Sequence, residues 1–319
     1  EPSTRVELSR VGVTGLRRVL RLEGAPHGGR AKYSMFFAEM DMFAHLTAER
    51  SGVHMSRFIE NIEDIASVMS SGTSPDIETL AEKMAVTIAR TQGTARAEVR
   101  IRAQFPTARR APVSGSEVED LYTFIGIAVS DGNATRRAIG VEVMGLTVCP
   151  CAREMVAGYA LDALAEAGYS RAQAEEIIGI VPLASHNQRG RGTLIVGAET
   201  QIRAEELVRI VENSMSSEIY ELLKRPDELH VVRKGHSRPR FVEDVVREMV
   251  RGVAENLTSL PDDAFIMARQ ENFESIHAHN AYAERCGTLG DMRRELGAKS
   301  GASPRVRASS LEAWLDSLP

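Results

Sequence analysis

The chain is short of cysteine, has no excess of positive charge and contains no long apolar run, and each shortage removes a class of protein. Three cysteines in 319 residues are too few for a disulfide framework, so thiols in a reducing cytoplasm are expected. A net charge of −5 argues against a general nucleic-acid binder, while leaving room for a local basic pocket that holds a phosphorylated ligand. No apolar stretch approaches the roughly 18–20 residues of a membrane span, and the opening "EPSTRVELSRVG" lacks the apolar core of a signal peptide. A cytoplasmic protein without a membrane partner is expected. What is present is globular: 43% apolar and 26% charged residues, enough for one large domain or two ordinary ones.

The first half opens with strand-like segments at 11–22 and 33–46, separated by the turn cluster "GAPHGGR". Two helical patterns follow. Phe58, Ile62 and Ile65 share one face of the first; in the second, Ser74 caps, Pro75 takes the first helical position, and Ile77, Leu80, Met84 and Ile88 form a stripe. Ala97, Val99, Ile101, Ala103 and Phe105 then alternate with Glu98, Arg100, Arg102 and Gln104, which predicts a strand with one buried and one wet face. Another strand is expected at 121–129. The second half repeats this order in pattern only: strands at 138–148 and 193–201, helices at 204–224 and 241–257, strands at 264–271 and 275–283, with an extra helical piece at 153–179. Each half reads β-β-α-α-β-β, an α+β architecture with residues 1–132 and 133–287 as modules and 288–319 as a helical tail that contains a linker, "GAKSGASP".

Five stretches could carry chemistry. In "TVCPC", Cys149 and Cys151 point to one side if extended, so both sulfurs could reach one metal; buried structural cysteine is the plain alternative. In "ASHNQRGRGTL", His186 suits zinc, iron or copper, and Arg189 and Arg191 could hold phosphate oxygens, or the stretch is a solvated loop. "ENFESIHAHNAYAER" puts His277 and His279 at HxH spacing beside Glu271 and Glu274, a notable pairing among only eight histidines. Glu243, in the first turn of a helix, either complements the helix dipole by about 0.3–1 kcal/mol or binds a guanidine-like ligand edge with two hydrogen bonds. Glu228 is an oxygen ligand or a solvated acid, and Lys224, Arg225, Lys234, Arg238 and Arg240 fit a polyphosphate or an ordinary charged face. Finally, "GVHMSRF" sets His54, Ser56 and Arg57 at a helix start, where anions bind readily, although Ser56 also serves as a plain N-cap.

"GVHMSRF", "TVCPC", "HNQRG", "SMSSEIYELLKRPDE", "FVEDVVR" and "ENFESIHAHNAYAER", in this order, resemble the archaeal iron(II)-dependent GTP cyclohydrolases of the MptA family, relatives of the bacterial type IB GTP cyclohydrolases. The resemblance runs from about Val11 to Arg294. It implies the tunnelling fold (T-fold), with two β-β-α-α-β-β modules per chain and a helical insert in the second. It also implies a homodimer or homotetramer with active sites between subunits. By the same resemblance Cys149 is the metal thiolate and His186 a second ligand, with Glu228 and His277 completing or adjoining the metal site. Glu243 anchors the guanine edge of GTP, and His279 lies near the site. His54, Ser56, Arg57 and Arg189 are expected to face the substrate; Cys151 is not carried over as a ligand.

Fe(II) is the metal the resemblance favours, while mixed S/N/O ligation also admits Zn(II) or Mn(II). Bacterial members join the CPC and HNQR motifs by a short link, whereas here residues 152–185, 34 in number, intervene. That favours the archaeal product, 7,8-dihydroneopterin 2′,3′-cyclic phosphate with formate and diphosphate, over the bacterial 7,8-dihydroneopterin triphosphate. Two rivals keep the fold and change the chemistry: a non-hydrolytic purine- or pterin-binding relative, such as a nitrile reductase with a nucleophilic cysteine, and a module with a structural zinc.

Overall fold

The computed structural model describes residues 2–27, 30–60, 62, 77–298 and 310–318. Its centre is one antiparallel sheet. Strands β1 (Leu8–His27), β2 (Arg30–Leu46), β3 (Ala97–Arg110), β4 (Glu117–Ser130), β5 (Thr135–Val148), β6 (Asn187–Gly197), β8 (Phe265–Asn272) and β9 (Ala281–Thr288) lie side by side in that order. The two-residue β7 (Ser217–Glu218) pairs with β5. The sheet runs without interruption across residues 131–134, because β4 and β5 pair from Ser130↔Thr135 onward.

Helices cover one face. In the first half these are α1 (Ser56–Ile59) and α2 (Ile77–Gln92); in the second, α5 (Ala204–Ser214) and α7 (Val242–Asn256). The α7 stripe Val242, Val245, Val246, Met249, Val250 and Val253 is buried, at roughly 1.5–3 kcal/mol for each large side chain removed from water. The opposite face is covered by α9 (Leu311–Asp316), whose Trp314 stacks on Phe265 with ring centroids 5.5 Å apart. Gly197 makes room for it, since a Cβ there would lie 2.4 Å from the indole. The tail therefore belongs to the core, and α8 (Leu289–Gly297) precedes it.

Several expectations change. The 204–224 helix stops at Ser214, because Ser216 and Ser217 turn back onto β5: Ser216 N donates to Leu146 O at 3.0 Å and Ser217 pairs with Leu146. An unexpected helix, α6 (Arg225–Ser237), follows, with Pro226 in its first turn and Asp227 accepting from Lys224 N at 3.0 Å. The helical insert is a hairpin of two helices, α3 (Pro150–Glu166) and α4 (Arg171–Ile180). They break at Gly168, which takes φ +92°, and restart on the Ser170–Gln173 capping box.

The strand expected at 193–201 starts and ends earlier, at 187–197. The strand expected at 275–283 is displaced to 281–288, because Asn272 pairs with Ala281 and leaves 273–280 as the connection. On β3 the alternation holds, but Glu98 is fully buried on the face expected to be wet. Ile65, the Ser74–Pro75 helix start, part of the first turn cluster (28–29) and part of the linker (299–304) fall outside the described residues. Among the described residues, no helix is long and apolar enough to cross a membrane.

Candidate functional site

The β5–β6 ladder joins the two motifs that the insert separates in sequence. Thr147 pairs with Gln188 and Val148 with Asn187. The next rung brings Cys149 beside His186: Cys149 N donates to His186 O at 3.1 Å, and Ser185 Oγ donates to Cys149 O at 2.6 Å. Cys149 is also the N-cap of α3. Its backbone is extended, Pro150 occupies the first helical turn, and its sulfur accepts from Ala152 N at 3.5 Å. The strand end and the helix start together hold this buried thiol in place, while Cys151 is exposed.

The His186 ring has a defined tautomer. Thr147 Oγ1 donates its single proton to Gln188 O at 3.3 Å and accepts from Gln188 Nε2 at 2.9 Å. Gln188 Oε1 is thereby turned to His186 Nδ1, 3.1 Å away. With the amide in this orientation, Nδ1 carries the proton and the Nε2 lone pair is free. Thr147 and Gln188 are themselves buried.

The ladder supplies a third element. After β8 pairs with β6, Phe273 N donates to Arg189 O at 2.9 Å, and the following residue, Glu274, lies against His186. Its Oε2 is 3.6 Å from His186 Nδ1, and its side chain is 1% exposed. Among the described residues, neither Glu274 oxygen has a hydrogen-bond partner. A buried carboxylate without donors is costly, so this one is set to receive a cation or a donor from outside the chain. His277 stands edge-on to His186 with centroids 6.3 Å apart, and His279 stacks on His277 at 5.2 Å. Both are exposed, on a loop of bends rather than in the extended segment expected. Glu274 was legible only as one acid of an acidic stretch; its burial and its neighbour come from the ladder.

The other candidates lie elsewhere in the single chain. Glu228 is exposed in the first turn of α6, and among the described residues no hydrogen bond or ion pair joins it to Cys149, His186 or Glu274. Its neighbour Asp227 points inward and accepts from Val113 N and Ser114 N, both at 2.8 Å, which ties the β3–β4 hairpin to α6. Against the cost of burial, these donors hold the Asp227 carboxyl well below its usual range. Glu243 is exposed in the first turn of α7 and Arg189 is exposed on β6. The His54 backbone exchanges two hydrogen bonds with the Gln92 amide at 3.2 and 2.8 Å, and Arg57 donates to Thr91 O at 2.9 Å. Ser56 is not the cap of α1; that position is Met55, which makes no side-chain cap bond.

The donors at this site suit a metal in kind: a thiol, an imidazole with a free Nε2 and an unpartnered buried carboxylate. Among the described residues, however, no three His, Cys, Asp or Glu side chains stand close enough together to hold one ion. The fit is therefore one of donor chemistry, with the set left open within one chain.

Comparison with known proteins identifies the family. Residues 1–283 match the family model described as type I GTP cyclohydrolase folE2. The chain is 39% identical to the GTP cyclohydrolase MptA of Methanothermobacter thermautotrophicus over 94% of its own length and 95% of that protein. It is 36% identical to the MptA of Methanocaldococcus jannaschii over 93% and 96% of the two chains. Among solved structures, the uricase of Arthrobacter globiformis superposes with a TM-score of 0.54 at 9% identity, covering 95% of this chain and 96% of that one, a likeness of fold alone. The chain belongs to the type I GTP cyclohydrolase folE2 family.

Proposed function

We propose that this enzyme, a GTP cyclohydrolase of pterin synthesis, opens the imidazole ring of GTP at a metal site founded on Cys149 and His186. The observation that carries the reading is the junction of β5, β6 and β8, where Cys149 and His186 adjoin through the backbone, the unpartnered Glu274 carboxylate faces the His186 ring, and His277 stands edge-on to it. A divalent metal bound there, Fe(II) first and Zn(II) or Mn(II) as alternatives, lowers the pKa of water and supplies hydroxide near neutral pH.

The chain's own groups do the rest. Cys149 Sγ and His186 Nε2 are the first two donors. Glu274 and Glu228 are the carboxylates for further positions, and Glu274 is the one this chain already sets against His186. One water adds at C8 and the C8–N9 bond opens to a formamide; a second water cleaves that formamide and releases C8 as formate. His277 and His279, exposed and stacked, take the proton from the attacking water and return it to the ring nitrogen. Glu243 receives N1–H and the 2-amino group of guanine in two hydrogen bonds. His54, Ser56, Arg57 and Arg189 contact the remainder of the nucleotide.

The open ligand set and the exposed Glu243 and Glu228 support a homo-oligomer, a dimer or tetramer, with sites between subunits. The element order supports two tandem T-fold modules, 1–132 and 133–287, sharing one sheet, with 288–319 as a C-terminal tail that supplies α8 and α9. The product we favour is 7,8-dihydroneopterin 2′,3′-cyclic phosphate with diphosphate, and the cytoplasm is the expected compartment.

The deciding experiment is an anaerobic incubation of Fe(II)-, Zn(II)- or Mn(II)-loaded protein with GTP, read by mass spectrometry. Formate with a cyclic phosphate is the expected result. Formate with dihydroneopterin triphosphate transfers the enzyme to the bacterial type of reaction. No formate with any of the three metals overturns the proposal and brings forward a non-hydrolytic binding role.

A further inference from the structure

A cavity of about 550 Å³ lies between the start of α3, the end of α4 and one side of α6. Arg153, His230, Arg233, Lys234, His236 and Ser237 supply its polar lining, and no Asp or Glu lines it. In a chain whose acids outnumber its lysines and arginines by 44 to 39, that absence is informative. Most basic groups near the sheet are neutralised: Lys234 itself meets Glu218 at 2.5 Å, and Arg191 meets Glu271 at 2.5 Å. Among the described residues, Arg153 and Arg233 make no ion pair. Two ring and guanidinium nitrogens in the lining, Arg153 Nε and His236 Nδ1, are buried with no hydrogen-bond partner among the described residues. Buried donors left without acceptors are destabilising, and a pocket that gathers two of them beside unpaired guanidinium charge is built for an anion rich in acceptor oxygens.

The cavity adjoins the site already described. Arg153 lies one helical turn beyond Cys149, its N–H donating to Cys149 O at 3.3 Å, which is a step of about 6 Å along the α3 axis. On the other side, Asn187, the residue after His186, is 3.4 Å from His236 Nε2 through its side-chain amide. Helix α6 can form this wall because Gly235 rides close on β5; a Cβ there would lie 2.7 Å from Leu146.

We propose that this pocket binds an oligophosphate, and that in the working enzyme its occupant is the phosphate chain of the nucleotide whose base is held at Cys149 and His186. The anion chemistry stands on the lining alone, while the identity of the occupant rests on the GTP reading above. The insert thus acquires a role: α3 contributes Arg153 and the end of α4 closes the apolar rim at Ile178, Ile180 and Val181.

The test is the double variant Arg153→Gln/Arg233→Gln in the intact metal-loaded protein. Diphosphate binding is measured by calorimetry, the GTP KM by formate release, and guanosine is titrated as a phosphate-free competitor. Loss of two charge-assisted contacts predicts at least a tenfold weaker affinity for diphosphate and at least a tenfold higher GTP KM, with guanosine affinity unchanged. The melting temperature should not fall, because neither arginine has a partner to lose. Weakened diphosphate binding with an unaltered GTP KM keeps the oligophosphate pocket but makes free oligophosphate its occupant. Unchanged diphosphate binding in the double variant overturns the proposal. If the wild-type protein releases no formate yet loses diphosphate binding on substitution, the pocket stands and the cyclohydrolase reading fails.

Discussion

Glu98 and Glu274 both carry a buried carboxylate, and the surroundings of the two are opposite. Glu98, fully buried on β3, meets Arg10 at 3.0 Å, Arg96 at 3.0 Å and Arg100 at 2.7 Å. Glu274, 1% exposed beyond the end of β8, has a histidine at 3.6 Å and no hydrogen bond at either oxygen. The first is saturated from within the chain: burial alone would raise its carboxyl, but Arg100 and Arg10 outweigh burial and hold it below its ordinary value. The second is held open. A fold that surrounds one buried acid with arginines and leaves another unmatched against His186 separates structure from chemistry by the supply of partners.

The sharpest way to break this contrast is Glu274→Gln. Turnover should fall by about a hundredfold or more, in the range of a lost catalytic or ligand carboxylate, while the melting temperature stays level or rises, since an unmatched charge is removed. A variant that melts earlier and still turns over would make Glu274 a structural acid like Glu98.

The converse is Glu98→Gln, expected to leave the GTP KM unaltered but to lower unfolding stability by about 2–3 kcal/mol, because three arginines lose their shared partner. The sign with pH follows from the depressed carboxyl. The stabilisation of Glu98 is fully present above its unfolded pKa and is lost as pH falls through the lower folded value. Denaturant melts at pH 7 and in the acid range should therefore converge for wild type and variant as the pH drops, and parallel curves would refute the assignment.

Next in size is Gln188→Leu. Freed of the acceptor that holds Nδ1–H, His186 should bind metal about 10–100-fold more weakly, the usual scale for an outer partner of a ligand. Gln188→Glu, which still accepts that proton, should recover most of the affinity. Equal metal dissociation constants for the wild type and the Leu variant, by calorimetry, would remove Gln188 from the site. The smallest effect is expected at the exposed acid Glu243. Glu243→Gln should raise the GTP dissociation constant about tenfold by exchanging one acceptor pair for a mixed amide, with metal content unchanged; an unaltered constant would place the guanine anchor elsewhere.

Most strands were legible from branched and apolar stretches and β3 from alternation, and β3 shows where that stops. Ala97, Val99, Ile101 and Ala103 are buried as the pattern predicts, but Glu98 is buried too, because Arg10 reaches it from β1 while Arg96 and Arg100 flank it. Helix α6 was missed although Pro226 and Asp227 mark its start, since its basic residues show no apolar stripe. His277 and His279 were expected on a strand, and the β8–β9 register made them a loop. Cys149 and His186 were recognisable as ligand types in quoted motifs; Glu274 was not separable from Glu271.

What the sequence determined by itself is local: the periodicities that make strands and helices, and the residue types able to hold metal or move protons. Family motifs in order added the identity of the enzyme. The tertiary structure decided which of those residues meet. A ladder register sets Cys149 against His186 across 36 intervening residues (150–185), and a second ladder lays Glu274 beside them. Burial and the supply of partners are properties of neighbours in space, so only the fold could leave Glu98 satisfied and Glu274 open.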